Sequence, residues 1–221
     1  LLVAYATEKS AFKRGRYAYL LGQLYENLKY SDSAVIAYQQ VLDLNRRIPR
    51  ELWIHAKLSQ LRNNVLNNEN TILAYKKLMR SDEDRRFRDK IYYFYGSHLI
   101  KESDTINGEN ALEASLLTNT RDRYLKSLIY EQLATNRLDQ IAFVTAGEYL
   151  DSTLQNLTPK TRRFRKISRQ RKKLDDIINY EKTIVETDSI LQLMSMSVEA
   201  KKLVISKSVS YTHLRAHETL L

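Results

Sequence analysis

The four histidines are the first residues to consider for catalysis or metal binding in this chain of 221 residues. His213 and His217 are four apart, so on a helix they would share one face, a spacing that zinc sites use. Leu214 stands where the H-E-x-x-H motif places its glutamate, and there is no third ligand, so we predict no metal. His55 and His98 fall in no recognisable catalytic triad. We therefore predict no catalytic residue and no cofactor.

Other catalytic patterns are also missing from the sequence. The chain has no cysteine, which excludes disulfides, thiolate metal sites and cysteine nucleophiles. Its 5 glycines are isolated and form no phosphate-binding loop. The acidic run 82–84 precedes Arg85 and Arg86, and we interpret it as a solvated loop before a helix, whose dipole favours acids there. These features indicate a binding protein and not an enzyme.

A basic patch accounts for most of the formal net charge of +10. The simplest interpretation is a solvated helix face, with Asp175, Asp176, Glu181 or another subunit as its acidic complement. An acidic protein or an anionic lipid surface is the second. Nucleic acid is the least favoured, because only Phe164 interrupts the charges and a series of stacking aromatics is missing. The patch consists of Arg162, Arg163, Arg165, Lys166, Arg169, Arg171, Lys172 and Lys173.

Helices are the elements expected to position these residues. The chain has 5 glycines and 2 prolines, where average usage would give about 15 and 11. Few turn-formers and no alternating Val/Ile/Thr runs predict an all-α fold with short loops. No apolar run approaches 18 residues, so we expect no segment to span a bilayer.

The clearest repeat unit covers residues 15–49, and it matches a tetratricopeptide repeat (TPR). A small residue where two helices cross lets their backbones approach closely, and large residues one turn away fill the groove between them. Ser31 or Asp32 is expected to cap the second helix. The matching residues are Leu21, Gly22, Tyr25, Ala34, Tyr38 and Val41.

Small residues recur downstream at nearly the TPR period, which favours an α-solenoid of antiparallel helix pairs. We predict about four TPR-like repeats over residues 14–156, after the end of a preceding helical repeat at 1–13. In the third unit Ala111 is expected to follow a loop at 103–110. In the fourth, either Ala146 or Ala142 would be the small residue of the second helix. A non-repeating bundle with an aromatic core is the alternative. The recurring residues are Gly22, Ala56, Gly96 and Ala134.

The first helix of each TPR lines the concave groove, so exposed residues on these helices are candidates for partner binding. Arginine and aromatic side chains there suit a protein-binding surface, although Tyr19 and Tyr93 could equally pack between helices. Some TPRs hold a C-terminal carboxylate with a Lys and Asn pair, and Tyr19 and Gln23 occupy those positions, so chaperone tails are disfavoured. The candidates are Arg16, Tyr19, Gln23, Lys90, Tyr93 and Ser97.

The pattern changes after Pro159. A long basic amphipathic helix is expected from about Lys160 to Val185, and Thr187 or Asp188 would cap a new helix. We assign residues 157–206 to this C-terminal helical segment. Residues 207–221 resemble a string that recurs at the ends of unrelated environmental reading frames, so we treat them as a non-native tail.

Four stretches of the sequence resemble the SprE/PorW family of TPR-containing lipoproteins, which serve type IX secretion and gliding motility in Bacteroidota. They are residues 17–25, 41–45, 88–93 and 188–197, and the resemblance spans roughly residues 10–205. The last stretch, D-S-I-L-Q-L-M-S-M-S, is the most specific, because the family carries a similar D-S-L-x-x-L-x-x-M-S after its repeats.

This resemblance implies a periplasmic protein, anchored to the outer membrane by an N-terminal lipid, that connects components of the secretion machinery. Its partners would be other proteins, and the family supplies no catalytic residues. No lipobox cysteine is present and the chain starts at Leu1, so we expect the signal segment to precede this fragment. The alternatives are a generic TPR adaptor, or a charge-driven binder of nucleic acid or anionic membrane through residues 160–173.

Overall fold

The computed structural model describes residues 1–63, 68–118 and 121–202. These residues form eleven α-helices and no strand, which confirms the predicted all-α fold. Short 3-10 turns at Asn45–Arg47 and Arg85–Phe87 precede the fourth and sixth helices. The helices are α1 (Leu2–Thr7), α2 (Ala11–Asn27), α3 (Ser31–Leu42), α4 (Arg50–Asn63), α5 (Asn68–Arg80), α6 (Arg88–Lys101), α7 (Thr105–Leu117), α8 (Arg123–Asp139), α9 (Phe143–Asn156), α10 (Arg162–Lys173) and α11 (Asp175–Ser195).

The helices pack in adjacent pairs along a solenoid, as predicted. We call α2, α4, α6, α8 and α10 the A helices, and α3, α5, α7 and α9 the B helices. His55 near the start of α4 contacts Lys90 near the start of α6, and Glu26 near the end of α2 contacts Arg62 near the end of α4. Neighbouring A helices therefore run in the same direction, and their N-terminal ends lie on one edge of the array.

Gly22 brings α2 and α3 together, as the TPR register predicts. A Cβ atom added to Gly22 would lie 2.5 Å from the Tyr38 ring, and Tyr38 is fully buried. Only glycine leaves room for the ring at this crossing. The equivalent small residues Ala56, Gly96 and Ala134 are also buried. In the fourth unit Ala146 takes the small position and is fully buried, whereas Ala142 precedes α9.

The third unit differs from its prediction in the second helix. At the crossing of α6 and α7, Gly96 lies against the backbone of Gly108. A Cβ atom added to Gly96 would lie 2.7 Å from the Gly108 carbonyl oxygen. Ala111 is buried one turn further on but does not make this crossing. The loop expected at 103–110 is wrong, since α7 begins at Thr105 and Asp104 caps it by accepting a hydrogen bond from the Asn107 amide.

The same turn joins A and B helices in three units. Lys29, Ser103 and Ile141 each follow an A helix with a left-handed φ, of 63°, 68° and 61°. The two amides after each A helix bond back to its last carbonyls, as in Ile141 N to Leu138 O and Ala142 N to Arg137 O. This is the Schellman arrangement, which usually takes glycine at the left-handed residue. The predicted cap by Ser31 or Asp32 is wrong, because α3 has no side-chain cap.

The core is divided among four clusters along the array. Each cluster joins neighbouring helices, as expected of a repeat protein in which each unit contacts its neighbours. One cluster surrounds Tyr38, the next surrounds Tyr75 between α4, α5 and α6, a third surrounds Leu112 and Ile129, and the last surrounds Leu150 and Ile167.

The C-terminal segment departs from its prediction in two ways. The helix expected over 160–185 is divided at Leu174, which ends α10 and precedes α11. The new helix expected at Thr187 or Asp188 is wrong, since both residues lie within α11. The tail at 207–221, with His213 and His217, lies outside the described residues.

Candidate protein-binding face on the A helices

A ladder of polar contacts joins successive A helices. Its hydrogen bonds connect residues 32 to 37 apart, close to the repeat period. Glu26 bonds Arg62, His55 lies 3.2 Å from Lys90, and Ser97 donates to Gln132 at 2.7 Å. Because each contact links equivalent parts of neighbouring units, the ladder fixes the register of one A helix on the next.

Glu26 is the centre of the first contact of the ladder, which joins α2 to α4. Its carboxylate accepts a hydrogen bond from the Tyr38 hydroxyl at 2.8 Å and from the Arg62 guanidinium at 2.7 Å, and the Asn63 amide also donates to it. Burial, together with the Glu26 hydrogen bond and charge, raises the pKa of Tyr38. The buried ring at the α2–α3 crossing is thereby tied to α4.

Arg62 lies between the two groups of predicted partner-binding residues. Its side chain is 53% exposed and sits over the Phe94 ring, 5.4 Å from the centroid. It is within electrostatic range of both Tyr19 and Tyr93. Partial burial disfavours its charge, but the hydrogen bond and charge of Glu26 outweigh burial and raise the pKa of Arg62.

The predicted residues of the first repeat divide by exposure. Arg16 and Gln23 are exposed, and Arg16 lies over the Phe12 ring at 5.8 Å. Tyr19 is half-buried, with its ring 5.6 Å from that of Tyr38, and burial raises its pKa. Tyr19 therefore packs partly between helices, as the alternative held, but the rest of its side chain stays accessible on the same helix face as Gln23.

The predicted residues of the third repeat are all half-buried. Tyr93 packs beside Phe94 and against the cluster around Leu112, and burial raises its pKa. Ser97 is engaged in the ladder. Burial, then the positive charge of Lys90, lowers the pKa of His55, so its neutral ring can accept a hydrogen bond from the ammonium.

Three of the predicted residues, Tyr19, Gln23 and Tyr93, form a surface with Arg62 and Phe94 that we call the A-helix face. Arg62 and Phe94 were not predicted from the sequence. Arg62 belongs to the second unit, from which no partner-binding residue was predicted. The signal in the sequence that could have identified Arg62 is its spacing of 36 residues from Glu26, which is close to the repeat period. The face consists of Tyr19, Gln23, Arg62, Tyr93 and Phe94.

The basic patch separates into two groups. Arg163 bonds Glu131 and Ser127 on α8, and Arg171 bonds Asp151 at 2.9 Å and Asp175 at 2.5 Å. These two arginines hold α10 to the array. The other six are exposed and form no ion pair with a described residue: Arg162, Arg165, Lys166, Arg169, Lys172 and Lys173.

The acidic run 82–84 is not a wholly solvated loop, which corrects its interpretation. Asp84 is fully buried and accepts two hydrogen bonds of 2.7 Å from Arg50, whose pKa they raise. The Arg50 guanidinium also lies 4.0 Å from the Trp53 ring centroid. This fork joins the start of α4 to the turn before α6.

In the described part of the chain, no group of three or more His, Asp or Glu side chains is arranged to hold a metal ion. No helix there is long and apolar enough to cross a membrane. No protein-family model and no curated protein matches the chain.

Proposed function

We propose that this protein is a non-enzymatic scaffold that binds partner proteins on its A-helix face. Arg62 carries the proposal. Its half-exposed guanidinium lies over Phe94 and between Tyr19 and Tyr93, and these residues belong to three successive A helices. Arginine and tyrosine are enriched among the residues that dominate protein interfaces. Because Glu26 already holds the Arg62 guanidinium, a partner would not have to immobilise this side chain.

The resemblance of residues 17–25, 41–45, 88–93 and 188–197 to the SprE/PorW family supports a more specific role. On that basis the scaffold connects components of the type IX secretion and gliding-motility machinery, as a periplasmic lipoprotein of the outer membrane. A TPR adaptor of another pathway would use the same face, so the partner's identity separates the two.

A photo-crosslinking amino acid at Gln23 tests this function, because Gln23 is exposed on the A-helix face. The matched control carries the same group at Leu73, which is 62% exposed on the B helix α5. In periplasmic extract of a gliding bacterium, we expect position 23 to crosslink a discrete secretion-machinery protein that position 73 does not.

Equal crosslinking at both positions, or crosslinking of nucleic acid alone at position 23, would contradict binding on the A-helix face. A single partner from an unrelated pathway would support the face and refute the secretion role.

A further inference from the structure

Exposed arginines recur where each B helix passes to the next A helix. They occupy the turns before α4, α6 and α8 and the first turn of α10. None forms an ion pair with a described residue. Because the N-terminal ends of the A helices lie on one side of the array, these arginines form one row, which we call the basic edge. Its members are Arg46, Arg47, Arg85, Arg86, Arg121 and Arg162.

Shallow clefts connect neighbouring turns along this edge. Arg46 and Arg86 line one cleft, together with Arg50, Trp53 and Glu83. Arg86 also lines the next cleft, which reaches Arg121. A third cleft runs from Arg123 on α8 to Arg163 on α10. Arginines therefore line clefts between successive turns of this edge, from the turn before α4 to the start of α10.

The opposite edge has a different charge. Its turns hold Lys29 and Lys101 against Glu102, Asp104 and Asp139. A surface charged only for solubility would intersperse both signs on both edges. Apart from Lys160, the exposed cations at these turns are arginines. A planar guanidinium binds a carboxylate through two parallel hydrogen bonds, which an ammonium cannot do.

Acidic residues are also present on the basic edge, where Asp43, Glu51 and Asp82 are exposed, but its arginines and lysines outnumber them. Asp84 is buried on Arg50, and Glu83 lies 3.9 Å from the same guanidinium. Asp89 and Asp122 line the cleft between α6 and α8. The fork between Arg50 and Asp84 shows that a guanidinium at this edge can hold a carboxylate through two hydrogen bonds.

We infer that the basic edge binds an extended acidic segment of a partner protein, with its carboxylates meeting arginines of successive units. The aromatic side chains do not favour single-stranded nucleic acid, which stacks its bases on open rings. Arg50 covers Trp53, and Phe87 is only 6% exposed, beneath Arg86. Tyr124 is 63% exposed, but Arg163 lies over its ring, 5.3 Å from the centroid. Trp53 and Phe87 are also not free to enter a membrane interface. This surface is distinct from the A-helix face.

The test measures binding of a fluorescent peptide of alternating Glu and Ser, about 20 residues long so that it spans several units. Oligo-dT and vesicles containing phosphatidylglycerol serve as competing probes. The edge variant combines Arg46→Gln, Arg86→Gln, Arg121→Gln and Arg162→Gln. The matched control combines Lys29→Gln, Lys76→Gln, Lys77→Gln and Lys101→Gln, which are exposed and remove the same charge elsewhere.

We expect the edge variant to bind the peptide about tenfold or more weakly, and the control to stay within about twofold. Equal losses in both variants would mean that net charge alone attracts the peptide, which overturns the inference. Tighter binding of oligo-dT or vesicles than of the peptide by the unmodified protein would also overturn it. Because Gln23 and Arg62 are unchanged in both variants, crosslinking on the A-helix face tests the proposed function separately.

Discussion

The helix pairs α8–α9 and α10–α11 differ in the connection between their two helices. After α8, left-handed Ile141 reverses the chain, and α9 packs back along α8. After α10, Leu174 has φ −87° and ψ −12°, and the Ile178 amide bonds its carbonyl, so the chain continues in nearly helical form. No residue with positive φ follows Lys160 in the described chain. The backbone at one residue therefore decides whether a second helix returns to its partner.

Burial follows from this difference. α8 has 17 residues and buries six of them, whereas α11 has 21 and buries only Ile178. Both helices carry apolar residues at helical spacing, so amphipathic pattern alone does not produce a core. Apart from Ile178 and Leu193, the aliphatic and aromatic side chains of α11 are exposed. The exposed ones are Ile177, Tyr180, Ile184, Val185, Ile190, Leu191 and Met194.

The same substitution in the two regions should give the largest contrast. Leu133→Ala in α8 removes a fully buried side chain and should lower the free energy of unfolding by about 2–5 kcal/mol. Leu191→Ala in α11 removes one that is 58% exposed and should cost less than about 0.5 kcal/mol. Urea denaturation measures both, and similar losses would show that α11 is packed in solution.

The close crossing of α2 and α3 at Gly22 is the second feature to test. Gly22→Ala would place a methyl group against the Tyr38 ring and should destabilise the protein by about 1–3 kcal/mol. Gly15→Ala in the same helix meets only side-chain ends at 3.2 to 3.3 Å, and it gains helix propensity, so it should change stability by less than about 1 kcal/mol. A harmless Gly22→Ala would mean that α2 and α3 do not cross as closely as described.

The reversing turn offers a stabilising change. Ile141→Gly should raise the free energy of unfolding by about 1 kcal/mol, because a β-branched residue is strained at φ 61° and Ile141 is 70% exposed. Ile36→Gly, at a 61% exposed position within α3, should instead lose about 0.5–1 kcal/mol. Thermal melts should therefore shift in opposite directions, and a destabilised Ile141→Gly protein would argue against the left-handed turn.

The smallest expected effect is on the pH dependence of stability, through the contact between His55 and Lys90. Burial and Lys90 lower the pKa of His55 in the folded protein, so the unfolded chain takes up its proton first as pH falls. The stability that His55 contributes is present above its ordinary pKa of 6.5 and decreases below it. His55→Gln should reduce the loss of stability between neutral and mildly acidic pH, and an unchanged pH profile would exclude this role.

The features that could be predicted from the sequence are those that depend on local spacing along the chain. Gly22 and Ala134 were predictable because a small residue at a fixed period is itself the signal for a helix crossing. Gly108 was missed because its partner Gly96 lies on another helix, and an expected loop hid its helical context. Tyr19 and Gln23 were predicted from the TPR register, whereas Arg62 lies in the second unit, from which no partner-binding residue was predicted.

The sequence by itself determined the all-α fold, the helix pairs and the basic patch, since these depend on composition, spacing along one helix and charge. Only the tertiary structure decided that Arg163 and Arg171 hold α10 in place, that Asp84 is buried on Arg50, and that Leu174 lets α11 continue without turning back. Each of these depends on residues far apart in the chain, or on one backbone angle, and neither leaves a local pattern in the sequence.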